Sequence, residues 1–378
     1  MQPLKDVRVI EFTNILSGPF CGMLLSDMGA DVIKVEKPTG DDMRFWPPIT
    51  EGYSENFASV NRNKRSIALN LKDEGDLQLA RDLCAGADVI IENNRAGAMD
   101  RLGLGYEDIK KLNPAILYCS INAFGSEGPY AKRGGFDLVV QAESGIMSVT
   151  GEEDPVKCGV PISDVATGLY GAFAIASALR EVKETGEGAH IDASMLGASI
   201  GIAALQTSEY FGTGGSSPRM GSRHPRNAPY QAFKASDDYF ALAAGNDKLY
   251  ADVCRIIERM DLLDRPEYKT TELRAKNQVD LAVIVEEEFA KKTAAEWLDI
   301  FGAAGVPCGK INSYKEALSH PQVEHCQWVA DMTLPNGVET KTFLSPVRFN
   351  HTTTPMRSNP PALNAHNDEI RAEVAKKG

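Results

Sequence analysis

From Val7 to Ile121, short β-prone runs alternate with helical ones, and this alternation restricts the possible folds more than any other feature of the chain. Val7–Phe12 reads as a strand, Gly18-Pro19 breaks the pattern, and Phe20–Met28 reads as a helix closed by Gly29. Asp31–Glu36, Ser66–Leu71, Asp88–Glu92 and Ala115–Ile121 read as further strands, with helices at Glu74–Cys84 and Tyr106–Leu112 between them. Strands joined through helices pair in parallel and need cover on both faces, so the expected fold is α/β, with a doubly wound, mostly parallel Rossmann-like sheet. Helices at Asp137–Met147 and Ala166–Arg180, a strand at Ala189–Ala193 and an apolar helix at Met195–Phe211 continue the pattern. A Gly/Ser-rich break at 212–218 separates this part from a smaller α+β module. That module opens with Tyr230–Phe233 and Tyr239–Ala243, a hairpin around Ser236-Asp237-Asp238. The expected division is a large domain over 1–200 with 325–378, a linker over 201–226, and a small domain over 227–324.

Length and charge narrow the function. A chain of 378 residues can bury a large core. A net charge of −12 argues against a nucleic-acid partner, which would require a basic face. No apolar run reads as long and uncharged enough to span a bilayer, and MQPLKDVRVIEF lacks the apolar stretch of a signal peptide, so a cytoplasmic protein without a membrane partner is expected. The seven cysteines are scattered without a CxxC pair, which predicts reduced, mostly buried thiols. His320, His325 and Cys326 read as solvent-exposed loop residues, and no metal is expected.

Two features point to chemistry. The first is Gly159–Leu179, in which GVPI leads into Ser163-Asp164 and then a long uncharged run. Asp164 at the mouth of such a helix is either an N-cap or a carboxylate kept ionised by the helix dipole and available as a nucleophile. The second is a recurrence of cations and amides at segment ends: Lys37, Lys64, Arg65, Lys72, Asn93-Asn94 and Arg101. Ligands of open α/β sheets bind beyond the carboxyl ends of strands, so such groups would converge on an anionic ligand. No GxSxG, HExxH or Walker lysine motif is present, and Gly103-Leu-Gly105 stands outside any strand–turn–helix fingerprint.

Several long blocks carry a resemblance: VRVIEFTNILSGPFCGMLLSDMGADVIKVEKPTGDDMR, NRNKRSIALNLK, DVIIENNRAGAMDRLGLGYEDIKKLNP, GGFDLVVQAESGIMSVTG, SDVATGLYGAFAIASAL and RMGSRHPRNAPYQAFKASDDYFALAAGND. In these, over nearly its whole length, the chain resembles the class III CoA-transferases, the family of formyl-CoA transferase and carnitine CoA-transferase. The resemblance implies coenzyme A as part of the substrate, a small carboxylic acid as its partner, and an interlocked homodimer. It implies that Asp164 is the nucleophile, passing through an acyl–aspartyl anhydride and an aspartyl-CoA thioester. It places CoA against Ile15, Leu16 and Ser17, its phosphates near Lys37, Lys72 and Arg101, and its adenosine and pantetheine parts beside Leu69, Asn93 and Asn94.

The chain also departs from that family. Leu16 replaces a glutamine that contacts the small diacid in formyl-CoA transferase, which argues against oxalate or formate. The glycine-run loop of that enzyme has no clear counterpart here. Short dicarboxylic and hydroxy acids remain open, and Leu16, Tyr130 and Phe136 suggest a somewhat apolar acyl pocket. Two other functions are weighed. Acyl-CoA racemases of the same fold need a histidine where this chain has Phe136, and phenylalanine cannot carry a proton. A non-catalytic acyl-CoA-binding protein would not need Asp164.

Overall fold

The computed structural model describes residues 1–376, so the last two residues of the expected 325–378 segment lie outside the described residues. Two compact units are present, one of residues 1–147, 157–208 and 320 onward, the other of residues 148–156 and 209–319.

In the first unit the alternating pattern becomes β1 (Arg8–Phe12), α1 (Ser17–Asp27), β2 (Asp31–Glu36), α2 (Glu55–Asn61), β3 (Lys64–Ala68), α3 (Glu74–Ala85), β4 (Val89–Glu92), α4 (Tyr106–Leu112) and β5 (Leu117–Asn122). Then come α5 (Asp137–Glu143), α6 (Ile162–Thr185), β6 (Ala189–Ser194) and α7 (Met195–Ile202). The six strands form one parallel sheet in the order β3-β2-β1-β4-β5-β6. Alternate side chains feed two cores. Ile10, Ile33, Ile67 and Ile90 meet Leu83 and Cys84 of α3. Val9, Val32, Val89 and Leu117 meet Cys21 and Leu25 of α1 and Ile175 of α6. Each such fully buried side chain contributes about 1.5–3 kcal/mol. The strand order reverses between β1 and β4, and a crevice opens there beyond the carboxyl ends of the strands.

Three expectations are corrected in this unit. The third strand runs over Lys64–Ala68, earlier than Ser66–Leu71, because Lys64 is drawn inside to Glu11 while the chain turns away after Leu69. Lys64 and Arg65 therefore stand at the amino end of that strand, away from the cations they were expected to join. Arg65 pairs with Asp31, Glu369 and Glu373. The helix of Asp164 is longer than expected, and by length and composition alone it could cross a membrane. It is packed against α1 at Gly168 and Gly171 instead. A Cβ on Gly168 would lie 2.9 Å from the Ser17 carbonyl oxygen and 2.9 Å from the Phe20 ring. On its other side Leu169, Tyr170 and Phe173 are exposed.

The second unit has a three-stranded antiparallel sheet of β7 (Tyr230–Lys234), β8 (Tyr239–Ala243) and β9 (Cys308–Lys310), with β8 in the middle. Its core is aromatic, built on Phe233, Phe240, Phe289, Trp297 and Phe301. The helix expected over Met195–Phe211 is broken at Ala203 into α7 and a second helix, Ala204–Thr213, and the stretch expected as linker becomes irregular only past the end of the latter. The seven cysteines are free, and Cys158 and Cys308 alone are not buried. Cys326 is buried at the end of a short helix that His320 caps, in place of the expected exposed loop.

Candidate functional site

The site is built where β1 and β4 end. The turn after β1, Thr13 to Leu16, leads directly into α1. Asn14 donates its backbone N–H to Asn93 Oδ1 at 2.8 Å, and Asn93 Nδ2 returns a bond to the Asn14 carbonyl at 2.8 Å. This reciprocal pair straddles the point where the strand order reverses. Asn94 donates to the Phe12 carbonyl at 3.0 Å, and its own N–H reaches Glu92 at 2.8 Å. Glu92 is held by Ser120 and Asn94, yet burial raises its pKa.

Beneath this turn lies a cluster of buried charges. Glu11 and Lys34 are register partners on β1 and β2, and both side chains are fully inaccessible to solvent. Lys34 Nζ meets Asp41 at 2.9 Å, Glu11 at 3.5 Å and the Thr13 carbonyl at 2.9 Å. Lys64 Nζ meets Glu11 at 2.8 Å and the Pro19 carbonyl at 2.8 Å. Burial lowers the pKa of Lys64 to about 8. Lys34 is raised despite its burial, because the carboxylates of Asp41, Glu11 and Glu36 surround it. Asp41 Oδ1 accepts from the backbone N–H of Ile15 at 3.0 Å and of Met43 at 2.9 Å. Ile15 has a φ of 66°, a left-handed conformation in which a β-branched residue is strained by about 1–3 kcal/mol. The Asp41 carboxylate, fixed by Lys34, holds it there.

Asp164 is the third residue of α6, whose N-cap is Pro161, a residue with no side chain able to cap. The capping carboxylate is Asp137, from the first turn of α5. Its Oδ1 accepts the Ser163 N–H at 2.9 Å and its Oδ2 accepts from Gln141 at 2.7 Å. This excludes the N-cap role for Asp164. The expectation of a fully ionised carboxylate is also corrected. Burial, and then the nearby Asp137, push the Asp164 pKa up to about 7, against the opposing hydrogen bond from Ser17. No cation contributes. The close crossing at Gly168, one helical turn beyond Asp164, is what brings Ser17 within reach.

Two adjoining cavities contain most of the expected site residues. One, of about 190 Å³, is lined by Asp164 together with Ile15, Leu16, Ser17, Asn93 and Asn94. The other, of about 460 Å³, is lined by Lys37, Leu69, Lys72 and Asn94, with apolar walls from Phe12 and Met99. Asn14 and Asn94 belong to both, so the two cavities adjoin along these residues. Lys37 and Lys72 are exposed, and Lys37 pairs with Asp42. Arg101 lines neither cavity, although its neighbours Ala98, Met99 and Leu102 line the larger one. Tyr130 does not line the Asp164 cavity either, whereas Phe136 does. Sequence reasoning missed Asp41, Lys34 and Glu11. The available signal was a charged residue in an otherwise buried strand, on the same face as its apolar neighbours: Lys34 beside Val32, and Glu11 beside Val9.

Comparison with known proteins identifies the family. The profile of CoA-transferase family III matches residues 4–367. Succinyl-CoA:glutarate CoA-transferase of Mus musculus is 40% identical over 380 residues, covering 100% of this chain and 87% of its own. Succinate–glutarate CoA-transferase of Agrobacterium fabrum is 37% identical, over 98% of this chain and 96% of its own. Among solved structures, a CAIB/BAIF family protein from Brucella suis superposes with a TM-score of 0.88 at 40% identity, covering 98% of this chain and 99% of that one.

Proposed function

This chain belongs to CoA-transferase family III, and from that premise we propose that it moves CoA between short dicarboxylic acids through covalent catalysis by Asp164. CoA would lie with its adenosine part in the larger cavity, near Leu69, and its phosphates near Lys37 and Lys72. Its pantetheine arm would pass Asn14 and Asn94 and bring the thioester to Asp164. The observation that carries this reading is a half-buried carboxylate near Ser17 without a cationic partner, in the wall of a cavity that adjoins a larger one. The dicarboxylic substrates are carried over from the two relatives named for succinate and glutarate.

In the proposed sequence an Asp164 oxygen attacks the thioester carbonyl of the donor. The C–S bond breaks, CoA thiolate leaves, and an acyl–aspartyl anhydride remains. The thiolate then attacks the Asp164 carbonyl carbon, which releases the donor acid and leaves an aspartyl-CoA thioester. The acceptor carboxylate repeats these steps in reverse. The anhydride survives only where water is scarce, which suits a carboxylate already pushed toward neutrality by burial. Ionisation of Asp164 is then the first requirement of turnover. Phe136, in the wall of the cavity, offers no second proton carrier for racemisation.

The test is chemical. Incubation with succinyl-CoA followed by hydroxylamine should convert Asp164 to its hydroxamate, located by peptide mass spectrometry. Asp164→Ala should lose transfer by about 10⁴-fold or more. A modified residue other than Asp164, or exchange that survives Asp164→Ala, would refute the mechanism. The reading includes a homodimer, for which the exposed Leu169, Tyr170 and Phe173 of α6 offer an apolar face. A monomer in light scattering would contradict that part.

A further inference from the structure

The wall of the Asp164 cavity carries three cations, in a protein whose net charge is −12. Arg133 is engaged elsewhere: it pairs with both oxygens of Glu143, at 2.6 and 3.2 Å, and lies over the rings of Phe124 and Tyr130. Arg95 and Lys132 differ. Both line the cavity, both are exposed, and neither has an ion-pair partner among the described residues. They come from separate segments, the loop after β4 and the loop before α5. Asp164 is the sole carboxylate in that wall among the described residues, and its pKa of about 7 leaves it only partly charged near neutrality. The cavity therefore holds more positive charge than its own carboxylate balances. The pocket of about 190 Å³ is small, so a ligand held at Asp164 through one end places its other end near the wall.

We infer that Arg95 and Lys132 form a subsite for the remote carboxylate of a dicarboxylic acyl group, and that this subsite selects diacids over monoacids of equal length. The inference rests on the CoA-transfer reading and adds to it the residues that read the acid. The reacting carboxyl must lie against Asp164, so a second carboxylate is the group left to meet the free cations. An arginine and a lysine together suit it, the first through a planar fork and the second as a point charge. A monoacid would leave both cations unpaired and would place a methyl group against them. The competing assignment gives the same two cations to the phosphates of CoA, and the two make different predictions.

The experiment uses label self-exchange with the full-length protein: labelled glutarate into glutaryl-CoA, and labelled pentanoate into pentanoyl-CoA. Each reaction contains one acid and its own thioester, so the remote carboxylate is the difference between them. The expected result is a strong preference for glutarate in the unmodified protein. Lys132→Ala and Arg95→Ala should each lower kcat/KM for glutarate by about 10-fold or more, with far smaller changes for pentanoate. Lys132→Arg should restore most of the preference, and the Kd of free CoA by calorimetry should move by less than about 2-fold, since no phosphate contact is removed. Equal losses for both acids would overturn the subsite. So would a weakened CoA Kd with the glutarate preference intact, which would assign the cations to phosphate. Glutarate exchange that is lost in Asp164→Ala but keeps its ratio to pentanoate in the cation variants leaves the transfer reading standing and removes the subsite alone. Exchange that survives Asp164→Ala removes the transfer reading, and the subsite falls with it.

Discussion

Two groups of carboxylates in the first unit, one beneath the turn after β1 and one at the start of α6, are treated in opposite ways. Glu11 and Asp41 are wholly buried and matched by Lys34 and Lys64. Asp164 is half-buried and faces a second carboxylate, Asp137, with the Ser17 side chain as a weaker, opposing influence. The matched group is scaffold: it pins a turn and holds Ile15 in a strained conformation. The mismatched group suits the proposed nucleophilic role, because a carboxylate stabilised by a cation would be a weak nucleophile and one in bulk water would be shielded by its hydration. Besides the difference in burial, the charge of the nearest neighbour separates the two.

The largest effect that tests this contrast is on the matched side. Asp41→Ala leaves Lys34 with one carboxylate fewer in a site without water access, and it frees Ile15 and Met43 N–H groups. Removing one partner of a buried pair costs about 3–5 kcal/mol. Chemical denaturation should show a loss of that order, together with weakened CoA binding, since the turn that lines both cavities loses its anchor. Ile15→Gly removes the penalty for a positive φ and should recover part of the CoA binding in the double variant. A stability loss below about 1 kcal/mol, the scale of a solvated surface pair, would show that the cluster is not the anchor described here.

The contrast was only half legible in the sequence. Apart from α2, which was missed, strand and helix identities along β1 to β5 followed from apolar runs punctuated by Gly, Asn and Pro, and Asp164 stood out at the mouth of an uncharged run. Most of the residues expected to meet CoA line one cavity or the other: Lys37, Lys72 and Asn93-Asn94 could be read from their places at segment ends, whereas Ile15 to Ser17 and Leu69 came from the family resemblance alone. The pairing of Glu11 with Lys34 was not legible. It depends on the register of two strands, and single charges in strands look like solvated ones until their neighbours are placed. Asp137 lies 26 residues from Ser163, so its capping of α6 is a tertiary fact. The left-handed Ile15 carries no sequence signal at all, since glycine or asparagine is the usual occupant of that conformation.

On the mismatched side, a smaller effect of opposite sign is expected. The folded pKa of Asp164, about 7, lies above the ordinary carboxylate value near 4. The folded state therefore binds the proton more tightly than the unfolded state does. The associated stability is fully present below about pH 4, falls as the pH rises toward 7, and is gone above it. Asp164→Asn cannot ionise and keeps it. The variant should match the parent near pH 4 and gain on it up to pH 7, with a constant advantage beyond. Solvent access to the side chain reduces the gain to on the order of 1 kcal/mol, or a Tm higher by about 2–4 °C. Thermal melts across that pH range measure it. A variant less stable than the parent at pH 8 would mean that Asp164 is held by a favourable partner after all, and the contrast with Asp41 would fail.

The smallest effect separates the two causes of the Asp164 shift. Burial ranks first and Asp137 second. Under the proposed mechanism Asp164 must be ionised for the first step, so kcat/KM for the acyl-CoA should rise with pH and level off above about 7, reporting the free enzyme. Asp137→Asn removes the neighbouring charge while its amide oxygen can still accept the Ser163 N–H, so α6 keeps its cap. The midpoint of the profile should move to lower pH, by no more than about one unit, because desolvation of Asp164 is unchanged. A midpoint that stays in place assigns the whole shift to burial and leaves Asp137 as a cap alone. A midpoint that moves upward would mean that Asp137 favours the ionised form of Asp164, as a protonated carboxyl donating to it would, and would overturn the like-charge assignment.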